Sequence, residues 1–320
     1  MISTADPVLV ADIGGTHVRF GLAAGVGVQR ERTLNCSDYS DILAAAGEYL
    51  ADFGSAERPE RAVFAVASPV TGDRVSMTNL AWEFSIERTR RDLKLTDLRV
   101  VNDFTALAMA MPTLVGADLR RLKEGETGVR APMALLGPGT GLGVSALIPA
   151  HETWWPLSSE GGHCQLAPGS RREWQVLEAL RRRFGRVSAE RVLSGPGLVN
   201  LYTALCELEG VEPIESEPRE VETRARLDKA SLEAEAIRLF CGWLGAFAGD
   251  LALTLGARGG VFLAGGVLPK MGPLFDRELF VRRFLDKGRF RGYLEAIPID
   301  LILHRTATLV GAARILDLEP

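Results

Sequence analysis

Five residues of this chain carry donor and acceptor chemistry without the spacing of a metal site: Asn102, Asp103, Glu160, His163 and Glu190. Asn102-Asp103 follows the apolar run LRVV and precedes FTALAMA, so the pair stands where a strand gives way to a helix. Both residues suit a helix N-cap, and that role alone accounts for an isolated Asn-Asp pair. The carboxyl end of a strand is also where open α/β sheets bind ligands. There Asp103 could take a proton from a substrate hydroxyl as its oxygen attacks a γ-phosphate. Glu160 and His163 lie in SEGGHCQLAP, and Glu190 precedes RVLSGPGL. Singly, Glu190 reads as a first-turn acid favoured by the helix dipole, and His163 as an uncharged loop histidine. Together, three carboxylates, an amide and an imidazole suit a neutral polyhydroxyl ligand, because a carboxylate accepts from two neighbouring hydroxyls at once.

A phosphate donor is written in glycine. VADIGGTHVRFGLA (10–23) and LLGPGTGLGVSALIP (135–149) each run from an apolar strand into a Gly/Thr turn and out into a second strand. Such a turn exposes successive backbone N–H groups and forms a nest for phosphate oxygens. Two nests suggest two clamps on one polyphosphate. Asp12, lodged in the first, would repel that anion unless a cation lay between, so Mg²⁺ is implied; its plainer role is to stabilise the turn. No GxxxxGK[ST] occurs, which excludes a P-loop. The second turn partly imitates a dinucleotide fingerprint, with Gly137, Gly139 and Glu160. Its third glycine is out of register, however, and Val144–Leu147 reads as a strand where a Rossmann unit needs a helix. HExxH is absent, and four scattered histidines offer no ligand cluster. The residues describe a sugar kinase.

The elements that must position these groups alternate. Residues 8–12, 18–23, 62–67 and 98–101 read as strands, and Ser40–Phe53 as an amphipathic helix stopped by Gly54. A helix is expected from Phe104 to Pro112, and a charged crossing between domains over 116–132. Further helices are expected at 173–184, after Ser194–Gly197 and over 231–256 with Ser231 as N-cap. The strand 260–264 then leads into a third glycine turn, AGGVLPK. The charged, proline-containing stretch 212–230 reads as a solvated loop. This pattern argues for two α/β domains with a cleft between them.

Composition excludes several other classes. The chain has 320 residues, 47% hydrophobic and 24% charged, with a net charge of −4. Basic residues form no stripe, so no nucleic-acid partner is expected. Leu239–Gly256 is apolar, but Asp250 and four glycines interrupt it, and a core or interface helix is expected there in place of a membrane span. Cys36, Cys164, Cys206 and Cys241 have neither CxxC spacing nor the density of a disulfide scaffold, and read as free thiols of a reducing cytoplasm. Met1–Pro7 shows no secretory leader pattern, consistent with a cytoplasmic protein.

At this level the chain resembles the bacterial glucokinases of the hexokinase, actin and Hsp70 superfold (a ribonuclease H-like fold), in the branch separate from the ROK kinases. The resemblance rests on DIGGT, PVTGDRVSMTNLAWEFS, NDFTALAMAMP, GPGTGLGVSALIP, EGGH, ERVLSGPGLVNLY and GGVFLAGGVLPK, in order along nearly the whole chain. It implies MgATP-dependent phosphorylation of D-glucose, with Asp103 as catalytic base for the 6-hydroxyl. Asn102, Glu160, His163 and Glu190 would hold the other hydroxyls. Ala11, Asp12, Ile13, Gly14, Gly15 and Thr16 would form the first phosphate loop and Gly139, Thr140 and Gly141 the second. Gly265 and Gly266 would lie near the adenosine, and Asp12 would act through Mg²⁺. The resemblance also implies a small domain of 1–111 plus 302–320, the latter a C-terminal helix. A large domain of 112–301 would carry the sugar loops and a homodimer surface. A kinase for another hexose or amino sugar, or a non-catalytic sugar sensor, are the alternatives. Ala11, His17, Pro138, Ser159 and His304–Thr308 depart from the usual family pattern.

Overall fold

The computed structural model describes residues 7–24, 27–54, 58–215 and 217–318. The leader reading of Met1–Pro7 therefore lies, Pro7 apart, outside the described residues, as do the last two residues of the 302–320 segment. The chain divides into two compact units. One takes the described residues up to Val115, Ala150–Ser158 and those from His304. The other takes Gly116–Pro149 and Ser159–Leu303.

The first stretch of chain gives β1 (Val8–Ile13), β2 (His17–Ala24), β3 (Gly27–Asn35) and α1 (Ile42–Leu50). Next come β4 (Arg61–Val66), a hairpin of β5 (Arg74–Ser76) and β6 (Glu83–Ser85), and α2 (Ile86–Asp92). β7 (Asp97–Asn102) and α3 (Asp103–Ala110) follow. Asp41 caps α1 by accepting from the Ala44 N–H at 2.9 Å, and the helix closes at Ala51, three residues before the expected Gly54 stop. The sheet order is β3-β2-β1-β4-β7. β1, β4 and β7 run parallel, with Ile13, Val66 and Asn102 level in register. Apart from Asp12, β1 is buried throughout, as a central parallel strand must be.

The chain continues through β8 (Leu119–Lys123), β9 (Met133–Pro138), β10 (Leu142–Ala150) and β11 (Thr153–Ser159). Four helices follow: α4 (Arg171–Phe184), α5 (Gly195–Glu209), α6 (Pro218–Leu227) and α7 (Leu232–Leu255). β12 (Gly260–Leu263), α8 (Val267–Met271), α9 (Arg277–Leu285), α10 (Arg291–Glu295) and β13 (Ile299–Ile302) come next. α11 (Ala307–Ile315) ends the described chain. The second sheet has the order β11-β10-β9-β12-β13-β8. Three successive strands and then two parallel ones repeat the plan of the first sheet, with β8 added at the far edge. Each glycine turn closes the hairpin that opens its sheet, β1–β2 in one and β9–β10 in the other.

Two expectations are corrected. The stretch 212–230 is not all loop, because residues 218–227 form α6. Pro218 sits in the first turn, where its missing N–H has no intrahelical acceptor to lose. Glu217 and Glu220 form a reciprocal capping box, and Val221 and Ala225 are buried one turn apart. The C-terminal helix spans 307–315, a shorter stretch than 302–320, since β13 takes Ile299–Ile302. It packs on α3 so closely that a Cβ at Gly311 would strike the Ala106 carbonyl.

α7 is the one helix among the described residues long and apolar enough to cross a bilayer. Phe240, Cys241, Trp243 and Leu244 on it are wholly buried against α5, α6 and α9. Gly245 and Gly249 let the Phe280 and Phe284 carbonyls of α9 approach its backbone.

Candidate active site

In the first unit the candidate residues gather at the carboxyl edge of the parallel strands. Ile13 ends β1, Val66 ends β4 and Asn102 ends β7, so the loops that follow start side by side. Gly14 N–H is not free for a ligand, because it donates to the His17 carbonyl at 3.0 Å and closes the turn. Gly15 and Thr16 N–H have no partner among the described residues. Asn102 Oδ1 accepts from Phe104 N–H at 2.9 Å and Thr105 N–H at 3.3 Å, capping α3. Asp103 Oδ1 also accepts from Phe104 N–H at 2.9 Å. That bond holds the carboxylate at the helix start, where the dipole favours its charge.

Asp12 is half-buried at the end of β1, next to the loop. Burial pushes its carboxyl above the ordinary range, and Arg19, with Nη1 3.9 Å away, opposes this. Arg19 Nη1 also donates to the Arg305 carbonyl at 2.9 Å, so its charge is shared. Among the described residues there is no cluster of three or more Asp, Glu, His or Cys side chains for a metal. Mg²⁺ usually takes one or two carboxylates with phosphates and waters. A single under-compensated carboxylate beside a glycine turn with open backbone N–H groups fits that mode of binding.

The second unit repeats the device. Gly139 N–H donates to the Gly141 carbonyl at 2.8 Å, and Leu142 N–H to Glu190 Oε2 at 2.9 Å. Thr140 and Gly141 N–H are left without partners among the described residues, the counterpart of Gly15 and Thr16. Glu190 thereby touches both parts of the site. Oε2 holds the strand leaving the loop, while Oε1 lies 3.9 Å from His163 Nδ1. A Cβ at Gly141 would run into Oε2. Ser194 Oγ donates to the Glu190 carbonyl at 2.8 Å and caps α5, and Gly195 N–H donates to the Gly139 carbonyl at 2.8 Å. Glu160 is exposed before a single helical turn, Gly161–His163, where His163 N–H returns to the Glu160 carbonyl at 3.0 Å. Arg186 fixes that turn by donating to the His163 carbonyl at 2.8 Å. Gly162 lies against the Leu142 carbonyl with no room for a side chain.

Gly265 adopts φ +82°, and a Cβ there would meet the Pro138 carbonyl, so the third glycine turn lies against the end of β9. A cavity of about 930 Å³ is lined by Gly139, Thr140, Pro196 and Gly266, together with Arg219, Glu222, Thr223 and Arg226 of α6 and Lys270 of α8. These α6 residues and Lys270 escape the sequence reading; the Glu217–Glu220 capping spacing was the available signal. Burial pushes the Glu222 carboxyl up, against the cations Arg226, Lys270 and Arg219. An aromatic base with a charged tail suits such a chamber, at the upper end of the size usual for small-ligand sites.

A family model described as Glucokinase matches residues 9–319. The chain belongs to the glucokinase family. It is 48% identical to a glucokinase of Aromatoleum aromaticum over 313 residues, 97% of this chain and 95% of that one. A solved glucokinase from an Antarctic psychrotroph is 35% identical with a TM-score of 0.89, over 98% of this chain and 99% of the other. A ROK-family glucokinase from Streptomyces griseus, solved with glucose and AMPPNP, is 18% identical with a TM-score of 0.62 over 97% and 98%; it shares the fold. The two-sheet plan is thus the hexokinase-like plan of glucokinase-family sugar kinases. Two residues singled out in the sequence flank the loops: His17 is exposed beside the first, and Pro138 ends the strand that enters the second.

Proposed function

We propose that this chain transfers the γ-phosphoryl group of ATP to the 6-hydroxyl of D-glucose. The observation that carries the proposal is the doubled nest. Each glycine turn leaves two adjacent N–H groups without a partner among the described residues, one turn beside the strand end that Asp103 follows, the other bonded to Glu190. Membership of the glucokinase family supports glucose as the acceptor and ATP as the donor.

In this reading Asn102, Glu160, His163 and Glu190 bind the sugar hydroxyls that do not react. Asp103 accepts the 6-hydroxyl proton as O6 attacks the γ-phosphorus. The O6–P bond forms, the bond from phosphorus to the β,γ-bridging oxygen breaks, and ADP leaves. Gly15, Thr16, Thr140 and Gly141 N–H groups hold the phosphate oxygens, and Gly265 and Gly266 border the adenosine. Ala11, Asp12 and Ile13 lead into the first loop. Asp12 would hold Mg²⁺, directly or through water, and the ion would offset phosphate charge.

Substituting Asp103→Asn keeps the shape and an acceptor for Phe104 N–H but removes the base. kcat should fall by roughly 10²–10⁴-fold with glucose affinity retained. Steady-state kinetics beside glucose calorimetry checks this, and near-normal turnover would remove Asp103 from the role. We further propose a cytoplasmic homodimer whose two units serve as small and large domains. Light scattering at twice the 34.6 kDa chain mass would support the dimer.

A further inference from the structure

The segment PVTGDRVSMTNLAWEFS carries part of the resemblance noted in the sequence, yet nothing in the reaction above uses it. Its centre is the β5–β6 hairpin, built as a stiff arm. Met77 N–H donates to the Trp82 carbonyl at 3.1 Å across the hairpin, and Val75 pairs with Phe84. Trp82 is buried, with Nε1 donating to the Tyr39 carbonyl at 3.3 Å. At the base, Asp73 Oδ1 accepts from Glu87 N–H at 2.8 Å and ties the arm to α2.

The tip is held as firmly as the base. Ser68 follows β4, the strand between β1 and β7, so it stands between the loop after Ile13 and the pair Asn102-Asp103. It is 3% exposed, its Oγ accepts from Thr78 N–H at 2.8 Å, and it lies 3.1 Å from Thr78 Oγ1. This clamp delivers the next residue, Asn79, onto the first glycine turn. A Cβ built at Gly15 would lie 3.0 Å from both the Cβ and the carbonyl oxygen of Asn79. Asn79 is exposed, and its carboxamide has no partner among the described residues. An asparagine kept only for a turn commonly bonds its own backbone, which this one does not do.

We propose that Asn79 is a further substrate-contacting residue, its carboxamide N–H donating to an oxygen of the phosphoryl group held by Gly15 and Thr16. The proposal rests on the phosphate reading of that loop. A neutral donor suits the place: Asp12 already brings one negative charge to the loop, and a second would repel the phosphate. The carboxamide adds a side-chain donor to the two backbone ones, fixed before the substrate arrives.

The test compares Asn79→Ala and Asn79→Asp with wild type in three measurements: hexose kinase kinetics, calorimetric binding of AMPPNP and of ADP, and thermal unfolding. Asn79→Ala should lower kcat/KM for ATP by about 10–100-fold, the worth of one donor to a charged acceptor. Asn79→Asp should lose more. Both variants should weaken AMPPNP more than ADP, with glucose KM and the unfolding temperature close to wild type. Equal weakening of the two nucleotides, or unchanged binding of both, overturns the proposal. The AMPPNP-to-ADP ratio needs no turnover, so it still decides the role of Asn79 if wild type phosphorylates no hexose and the kinase reading itself fails.

Discussion

Asn102 has two tasks that substitution can separate. As the N-cap of α3 it satisfies two backbone N–H groups, and as a proposed sugar ligand it offers an amide. Asn102→Asp keeps the cap and should unfold in urea close to wild type. Asn102→Ala should lose about 1 kcal/mol of stability, the usual worth of such a cap. Both should raise the glucose KM, so a KM that moves only with stability would argue against sugar contact. Asp12 gives a pH signature in the nucleotide-free protein. Burial raises its carboxyl in the folded state, so the unfolded chain releases that proton at a lower pH than the folded one. Stability is therefore present below the ordinary carboxylate range and lost as pH rises through the folded value. Asp12→Asn should gain stability relative to wild type between pH 4 and pH 7, read as a shift in urea midpoint. A constant difference across that range would contradict the burial.

At the scale of elements, the two glycine turns are hairpin loops whose first N–H closes the turn and whose next two have no partner among the described residues. The turns are legible in sequence because glycine and threonine interrupt apolar strands. What cannot be read there is which N–H groups are consumed, since that depends on the His17 carbonyl in one turn and on the Gly141 carbonyl and the Glu190 carboxylate in the other. α6 escapes notice for a different reason. Proline and many charges mimic a loop, and only Val221 and Ala225 are buried to mark a helical face. Its Arg219, Glu222 and Arg226 nevertheless wall the cavity beside Thr140. Gly141 is the sharpest test of how the second loop is built. Gly141→Ala puts a methyl group into Glu190, which must leave either Leu142 or its present position. The KM values for glucose and for ATP should rise together, with kcat/KM lower by about 10-fold, the result of displacing one partly buried hydrogen bond to a charged group. A change in one KM alone would show that Glu190 does not link the two functions.

The whole chain places one plan twice: a hairpin closed by a glycine turn, then two parallel strands, in each of two sheets. The sequence declares this repetition through its glycines, while the partition of the chain follows tertiary packing. Ala150–Ser158 belongs with the N-terminal unit although it is distant from it in sequence. Family membership fixes the superfold, and the central claim that remains is chemical: a hexose hydroxyl is the acceptor and Asp103 its base. The most direct measurement incubates wild type and Asp103→Asn with MgATP and a panel of hexoses, and identifies any phosphorylated product by NMR. The account predicts glucose 6-phosphate as the main product of wild type and almost none from the variant. A folded, ATP-binding protein that phosphorylates no hexose, or that phosphorylates glucose equally well as Asp103→Asn, would contradict it.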